Sequence, residues 1–424
     1  MRARNAVAVG ALLLLPLCGV ASGQAPGAPA QASHRKGETR TERPRPREVL
    51  SRGQIVRFPL PGPTAVLAGG GYCDAEGNAY LMYTAAKPVL GPGPIIPPSV
   101  EGQSITRLSL GSQEATHFAP GSVSGYTSLL FLGVFAVSRW GRVYGVYQAH
   151  PSPVGEEAGR GAQRFIVSFN GDGTVDSTVR LRNPAPGQLD PLVFAPFADG
   201  SLFVAGITHP PPPPPGAARE NGTRRIQIVR SRPAGFREFA GVFDHYGRFL
   251  VGVQLPKGGG QSPPVPGRSS AGATAGGKAA MAPLPKPWVE DMLRSIAVPG
   301  PANTVYLLRP STPPRLYTLS STGEVTSAVS VHPPQPNATA VGMSLAGRGA
   351  VLITYFGTAR GAKGALSETH TYALVDPGTG KLLGAYRLPK DAGVMPLCAA
   401  GRNDFLFIGS TKHDKLKIVS YRAR

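Results

Sequence analysis

The chain has 424 residues, with 44 Lys+Arg against 24 Asp+Glu and a formal net charge of +20. Its 55 Gly and 45 Pro would interrupt helices every few residues, which excludes a mostly helical protein, while 41% hydrophobic content excludes a wholly disordered one. Three cysteines exclude a disulfide scaffold and a Cys-rich zinc module, leaving an all-β, turn-rich chain with polar insertions.

Residues 1–25 read as a secretory signal. Arg2 and Arg4 form a basic start, Val7 to Val20 is an apolar run too short to span a membrane, and Ala21-Ser22-Gly23 supplies the small residues of a cleavage site. Cys18 offers a lipid-anchored alternative, although Pro16-Leu17 before it is a poor match to such a site. No later stretch approaches 18 uninterrupted apolar residues, so no transmembrane segment is expected. The mature chain is expected in the periplasm or outside the cell, and export removes nucleic acid from its expected partners.

Residues 26–52 read as a disordered, basic, Pro/Ala-rich tether. Between residues 33 and 52, seven Arg/Lys face three Glu, a local charge of +4. Such a segment is either a plain linker or a foothold on an anionic surface such as lipid headgroups or acidic polysaccharide.

From Ile55 onward one theme repeats: a β-rich run, a tight polar turn, then a second run opened by an aromatic or aliphatic residue. The first unit reads Ala65-Val66-Leu67, Asp74-Ala75-Glu76-Gly77-Asn78, Tyr80-Leu81-Met82-Tyr83. Comparable first hairpins surround Arg139–Arg142, Ala198–Ser201, Pro299–Asn303, Gly347–Gly349 and Gly401–Asn403. Second hairpins turn at Asn170-Gly171-Asp172-Gly173, Asp244-His245-Tyr246-Gly247, Ser321-Thr322-Gly323-Glu324 and Asp376–Gly380, where Gly supplies the positive φ such turns require. Four antiparallel strands per unit predict a six-bladed β-propeller over residues 53–424. The sixth unit has only three strands, ending in Lys415–Tyr421, and the unassigned run Gln54–Phe58 is expected to complete it and close the ring.

The pattern resembles the six-bladed propellers of the NHL-repeat and lactonase-like superfamilies, most closely at Asp74-x-x-Gly77-Asn78-x-Tyr80-Leu81. That resemblance implies a fold shared by lyases, lactonases, signalling domains and interaction platforms, so it does not choose among functions.

Long insertions are expected at about 87–104, 151–163, 209–235, 256–287 and 357–368. Up-and-down blades would place all of them on one face, opposite the tight turns, making that face the default binding surface.

Chemistry-bearing candidates are few. His150 and His209 hold matching positions on neighbouring blades, without a third ligand of comparable placement. Asp190, Glu290, Asp291 and Asp391 each precede an innermost strand and could ring the channel mouth. The lactonase resemblance implies calcium there, for which carboxylate oxygens suit. Gly-x-Ser-x-Gly, His-Glu-x-x-His and phosphate-loop motifs are absent. Cys73 and Cys398 each stand seven residues before the aromatic opening a second strand, on blades the ring makes neighbours. They are either a disulfide, which export permits, or two buried thiols. The expectation is a monomeric, exported binding or scaffolding module for a protein or envelope component, with no cofactor and no catalysis. The alternative is a calcium-dependent hydrolase or lyase at the acidic mouth.

Overall fold

The computed structural model describes residues 47–48, 51–59, 65–84, 103–120, 124–127, 129–152, 163–182, 184, 187–209, 237–256, 294–311, 313–335, 338–347, 349–360, 366–388, 394–400, 404–412 and 415–422. The regular structure among them is entirely β. Strand β1 is Arg47–Glu48 and β2 is Ser51–Pro59. Blade one then holds β3 (Ala65–Cys73), β4 (Ala79–Thr84), β5 (Gln103–Ser109) and β6 (Glu114–Phe118); blade two holds β7 (Leu130–Val137), β8 (Val143–Ala149), β9 (Gln163–Phe169) and β10 (Val175–Arg180). Blade three holds β11 (Gln188–Pro196), β12 (Leu202–His209), β13 (Arg237–Phe243) and β14 (Phe249–Gly252); blade four holds β15 (Ile296–Pro299), β16 (Thr304–Arg309), β17 (Arg315–Ser320) and β18 (Val325–Ser330). Blade five holds β19 (Thr339–Ala346), β20 (Ala350–Arg360), β21 (Leu366–Val375) and β22 (Leu382–Arg387). Blade six holds β23 (Val394–Ala399), β24 (Asp404–Lys412) and β25 (Lys415–Arg422).

Each blade is an antiparallel sheet with its strands in chain order, and successive first strands face one another around the ring. The result is a six-bladed β-propeller. In blade six the outer position is taken by β2, which runs antiparallel to β25 with Val56 opposite Ile418 and Phe58 opposite Leu416. β1 adds a short parallel pairing to β22, with Arg47 opposite Tyr386. Strand pairing therefore reaches into residues 47–52, which composition alone assigns to the tether.

The alternation of apolar side chains along these strands puts one set on each face of every blade. Burying both faces yields six hydrophobic clusters, one at each blade-to-blade contact. Phe118 and Phe169 meet edge-to-face, 5.7 Å apart, between blades one and two; Phe405 and Tyr372 stand between five and six; Phe58 and Leu416 stand between six and one. Each such ring or branched chain, fully buried, contributes roughly 1.5–3 kcal/mol.

The turns lock through their own side chains. Asp74 Oδ1 accepts the N–H groups of Glu76 (3.0 Å) and Asn78 (2.9 Å), and Asp244 Oδ1 does the same for Tyr246 (2.9 Å) and Arg248 (2.8 Å). This is the local bonding that makes Asp a turn former. Neighbouring blades are tied at the same level: the Ala75 N–H donates to the Arg139 carbonyl (3.1 Å), and the Tyr80 hydroxyl donates to Asp74 Oδ2 (2.7 Å) and to the Gly141 carbonyl (3.3 Å).

Of the expected insertions, 87–104, 151–163, 209–235 and 256–287 fall largely or wholly outside the described residues. Within 357–368, residues 361–365 also lie outside the described residues, while β20 and β21 pair Gly357 with Thr369, Thr358 with Glu368 and Arg360 with Leu366. The Gly/Ala-rich composition of the stretch suggests a loop, but backbone pairing needs no apolar side chains once the register is set.

Candidate functional site

Of the four channel-mouth carboxylates, Asp190 alone lies among the described residues. Asp190 lies within β11, opposite Ile207, rather than before the strand. Its Oδ1 accepts from Arg164 Nε (3.0 Å) and from Gln188 Nε2 (3.3 Å). A guanidinium at that distance opposes a second cation on the same oxygens, so Asp190 fits poorly as a calcium ligand. Glu290, Asp291 and Asp391 lie outside the described residues, as does Cys18. His150 is exposed and held through its backbone to Thr127, while His209 ends β12 opposite Gln188. Cys73 and Cys398 face each other with Cα atoms 5.6 Å apart, placed as a disulfide across 325 residues.

What the sequence did not indicate is a cleft of about 1220 Å³ between blades two and three. Its origin is visible in the strand register. On the face that blade one turns toward blade two, β4, β5 and β6 present Met82, Arg107 and Phe118. Matching positions of β8, β9 and β10, which face blade three, carry Val146, Ser168 and Val179. The two of these that line the space, Ser168 and Val179, leave the outer part of that contact unfilled.

Four arginines (142, 164, 180 and 182) and two aspartates (176 and 199) line the space. Its floor is apolar, with Ile166, Val179, Leu189 and Leu202, and its rim carries His245 and Tyr246. Arg142 is ion-paired to Asp176, whose Oδ2 also accepts from the Ser168 hydroxyl (2.8 Å); Ser168 in turn bonds Ser177 (2.7 Å). Arg164 is only 17% exposed, and beyond its Nε bond to Asp190 its Nη1 is buried with no hydrogen-bond partner among the described residues. A buried donor left unpaired costs about 1–3 kcal/mol, so this nitrogen calls for an explanation.

Electrostatics shape the walls further. Burial pushes the Tyr144 phenol up, the Asp176 charge adds to the effect, and Arg142 opposes it. Tyr144 is therefore a neutral hydroxyl at ordinary pH. Burial works against the charge on Asp199, but hydrogen bonds from Ser201 and Asn303 outweigh it and hold the carboxyl below its usual range. Asn303 carries a positive φ of 57° and donates its amide to Asp199 Oδ2 (2.7 Å), tying blade four to blade three beside the cleft. At the rim Tyr246 is 64% exposed, with the Arg248 guanidinium 5.5 Å from its ring. Trp140, 73% exposed, carries Arg139 in the same manner on the first turn of blade two.

No family model matches the chain, and a comparison with curated proteins finds no match. Among solved structures, a protein of unknown function from Dyadobacter fermentans covers 88% of this chain and 99% of its own, at 8% identity and a TM-score of 0.43. The Dos1 propeller covers 88% and 96%, at 8% identity and a TM-score of 0.35. A protein of unknown function from Bacteroides caccae covers 73% and 80%, at 10% identity and a TM-score of 0.33. These likenesses carry no weight here; the propeller is established by the strand order and the ring of first strands. No helix in the described residues is long and apolar enough to cross a membrane.

Proposed function

We propose that the protein is an exported binding or scaffolding module that presents its insert-bearing face to a protein or envelope component. The observation that supports this reading most is an asymmetry of the ring. On one face the turns are short, internally hydrogen-bonded and tied between blades, as at Ala75–Arg139 and Asp199–Asn303. The long connections leave from strand ends such as Ala149 and His209, on the other face. Rigid scaffold on one side and variable loops on the other is the usual division of labour in a recognition domain. The test is capture of partners from the native envelope fraction by the mature protein and by a variant with 151–163 and 209–235 shortened. Loss of the captured species in the variant is the expected result, and unchanged capture counts against the insert-bearing face.

The calcium-dependent alternative draws on carboxylates of which Asp190 is committed to Arg164. Metal analysis after exhaustive dialysis separates the two: stoichiometric calcium favours a channel-mouth enzyme, and its loss favours the binding module.

A further inference from the structure

We infer that the cleft between blades two and three binds an acidic oligosaccharide, with a uronate carboxylate seated against Arg164. This deepens the reading as a binding module and gives it a second surface, which meets the insert-bearing face at Gln163 and Gln188.

The buried Nη1 of Arg164 is the first reason. It projects from a side chain already fixed by Asp190, so it is an oriented donor rather than a flexible surface charge. Guanidinium groups favour planar oxyanions, which accept two of their N–H groups together. Arg180 and Arg182 line the same space; with Asp190 paired to Arg164 and Asp176 to Arg142, four arginines stand there against three aspartates. An anionic group is therefore drawn in.

The rest of the lining says what carries the anion. Ser168 and Ser177 place hydroxyl oxygens on one wall, and Asp176 and Asp199 add carboxylate acceptors on the same walls. Ring hydroxyls of a sugar can donate to those carboxylates and to the Ser177 oxygen, the serine protons being engaged with Asp176 and Ser168. An acidic peptide or a phosphate cluster brings anions without that set of hydroxyl donors. The apolar floor and the flat, exposed Tyr246 ring suit the C–H faces of a pyranose, because apolar area is buried there without stranding polar groups. Single small ligands occupy pockets of roughly 300–1,000 Å³. At about 1220 Å³ and running from Gln163 and Gln188 to Asp199 and His245, this one suits several linked sugars.

The experiment is calorimetric titration of the mature protein, at about physiological salt to screen its general charge, with oligogalacturonate, oligoglutamate of equal charge, and a neutral dextran oligomer. Oligogalacturonate is expected to bind at least tenfold tighter than either of the others. Arg164→Gln should weaken it at least tenfold, and Ser177→Trp, which fills the cleft from a half-buried wall position, should abolish it while the melting temperature stays near that of the wild type. If Arg164→Gln unfolds the chain, Ser177→Trp decides alone. Equal affinity for the two polyanions, no binding, or wild-type affinity in Ser177→Trp overturns the inference and assigns any binding to the overall charge of +20. Envelope capture through the insert loops is measured separately, so a failure here leaves the binding-module reading standing.

Discussion

The backbone of Gly247, in the outer turn of blade three, lies directly on that of Arg180, in the outer strand of blade two. A Cβ at Gly247 would sit 2.4 Å from the Arg180 carbonyl oxygen, and the Arg182 N–H donates to the Gly247 carbonyl (2.9 Å). The contact recurs: Gly173 lies on the His117 carbonyl and Gly380 on that of Ser330. Each glycine thus serves its own turn, through a positive φ, and the join to the preceding blade. Gly247→Ala is expected to cost about 2–5 kcal/mol, adding left-handed strain to a backbone collision. Gly77→Ala shares the positive φ of 82° but meets nothing within 4 Å, and should cost only about 1–2 kcal/mol. Urea unfolding of both variants checks the difference, and equal losses would mean that the inter-blade contact contributes nothing.

Phe58 carries a second prediction. It is fully buried in β2, between Leu416 of blade six and Leu108 of blade one. Phe58→Ala should cost about 3–5 kcal/mol, the range for emptying a packed aromatic site. Removing residues 26–44 should leave the unfolding midpoint unchanged. Comparable losses from the two changes would contradict closure of the ring by β2.

For the cysteines, denatured and unreduced mature protein should show no free thiol from Cys73 or Cys398 and a monomeric mass. Cys398→Ser should then lose about 3–5 kcal/mol, since a bridge spanning 325 residues restricts the unfolded chain strongly. Two titratable thiols per chain would show that the close approach of these strands is not covalent.

Much of this fold could be read from the turns. Asp74–Asn78, Asn170–Gly173, Asp244–Gly247 and Asp376–Gly380 announce hairpins because Asp or Asn bonds the turn backbone and Gly takes the left-handed position. What escaped was set by contacts between blades. The β20–β21 hairpin runs on through Gly357 because its register, not its composition, holds it. Asp190 reads in the sequence as a channel carboxylate, and only the ring brings Arg164, on another blade, against it. The cleft was invisible for the same reason: Val179 is an unremarkable strand residue until it is set beside Phe118 at the matching point of blade one. Side-chain volume at one point of a repeat has meaning only against its neighbour in the ring.

Stability should depend on acid in a definite direction. Burial disfavours the charge on Asp244, but bonds from the Arg248 and Tyr246 backbones and from Arg248 Nε (2.7 Å) outweigh it and hold the carboxyl below its usual range. A group whose pKa is lowered by folding contributes stability that is full above its unfolded pKa, near about 3.9, and is lost as the pH falls through the folded value. Asp199 acts in the same direction. Asp244→Asn should therefore cost about 1–2 kcal/mol near neutral pH and reduce the drop in stability between about pH 7 and about pH 3. Unfolding curves at the two pH values check it, and an undiminished drop in the variant would remove Asp244 from the acid response.

The central claim, that blades two and three enclose a ligand site, is tested most directly by hydrogen exchange with and without saturating oligogalacturonate. Slowed exchange confined to β9, β10 and residues 187–190 is the predicted result. Protection appearing only within the basic stretch 33–52, or nowhere, would contradict it.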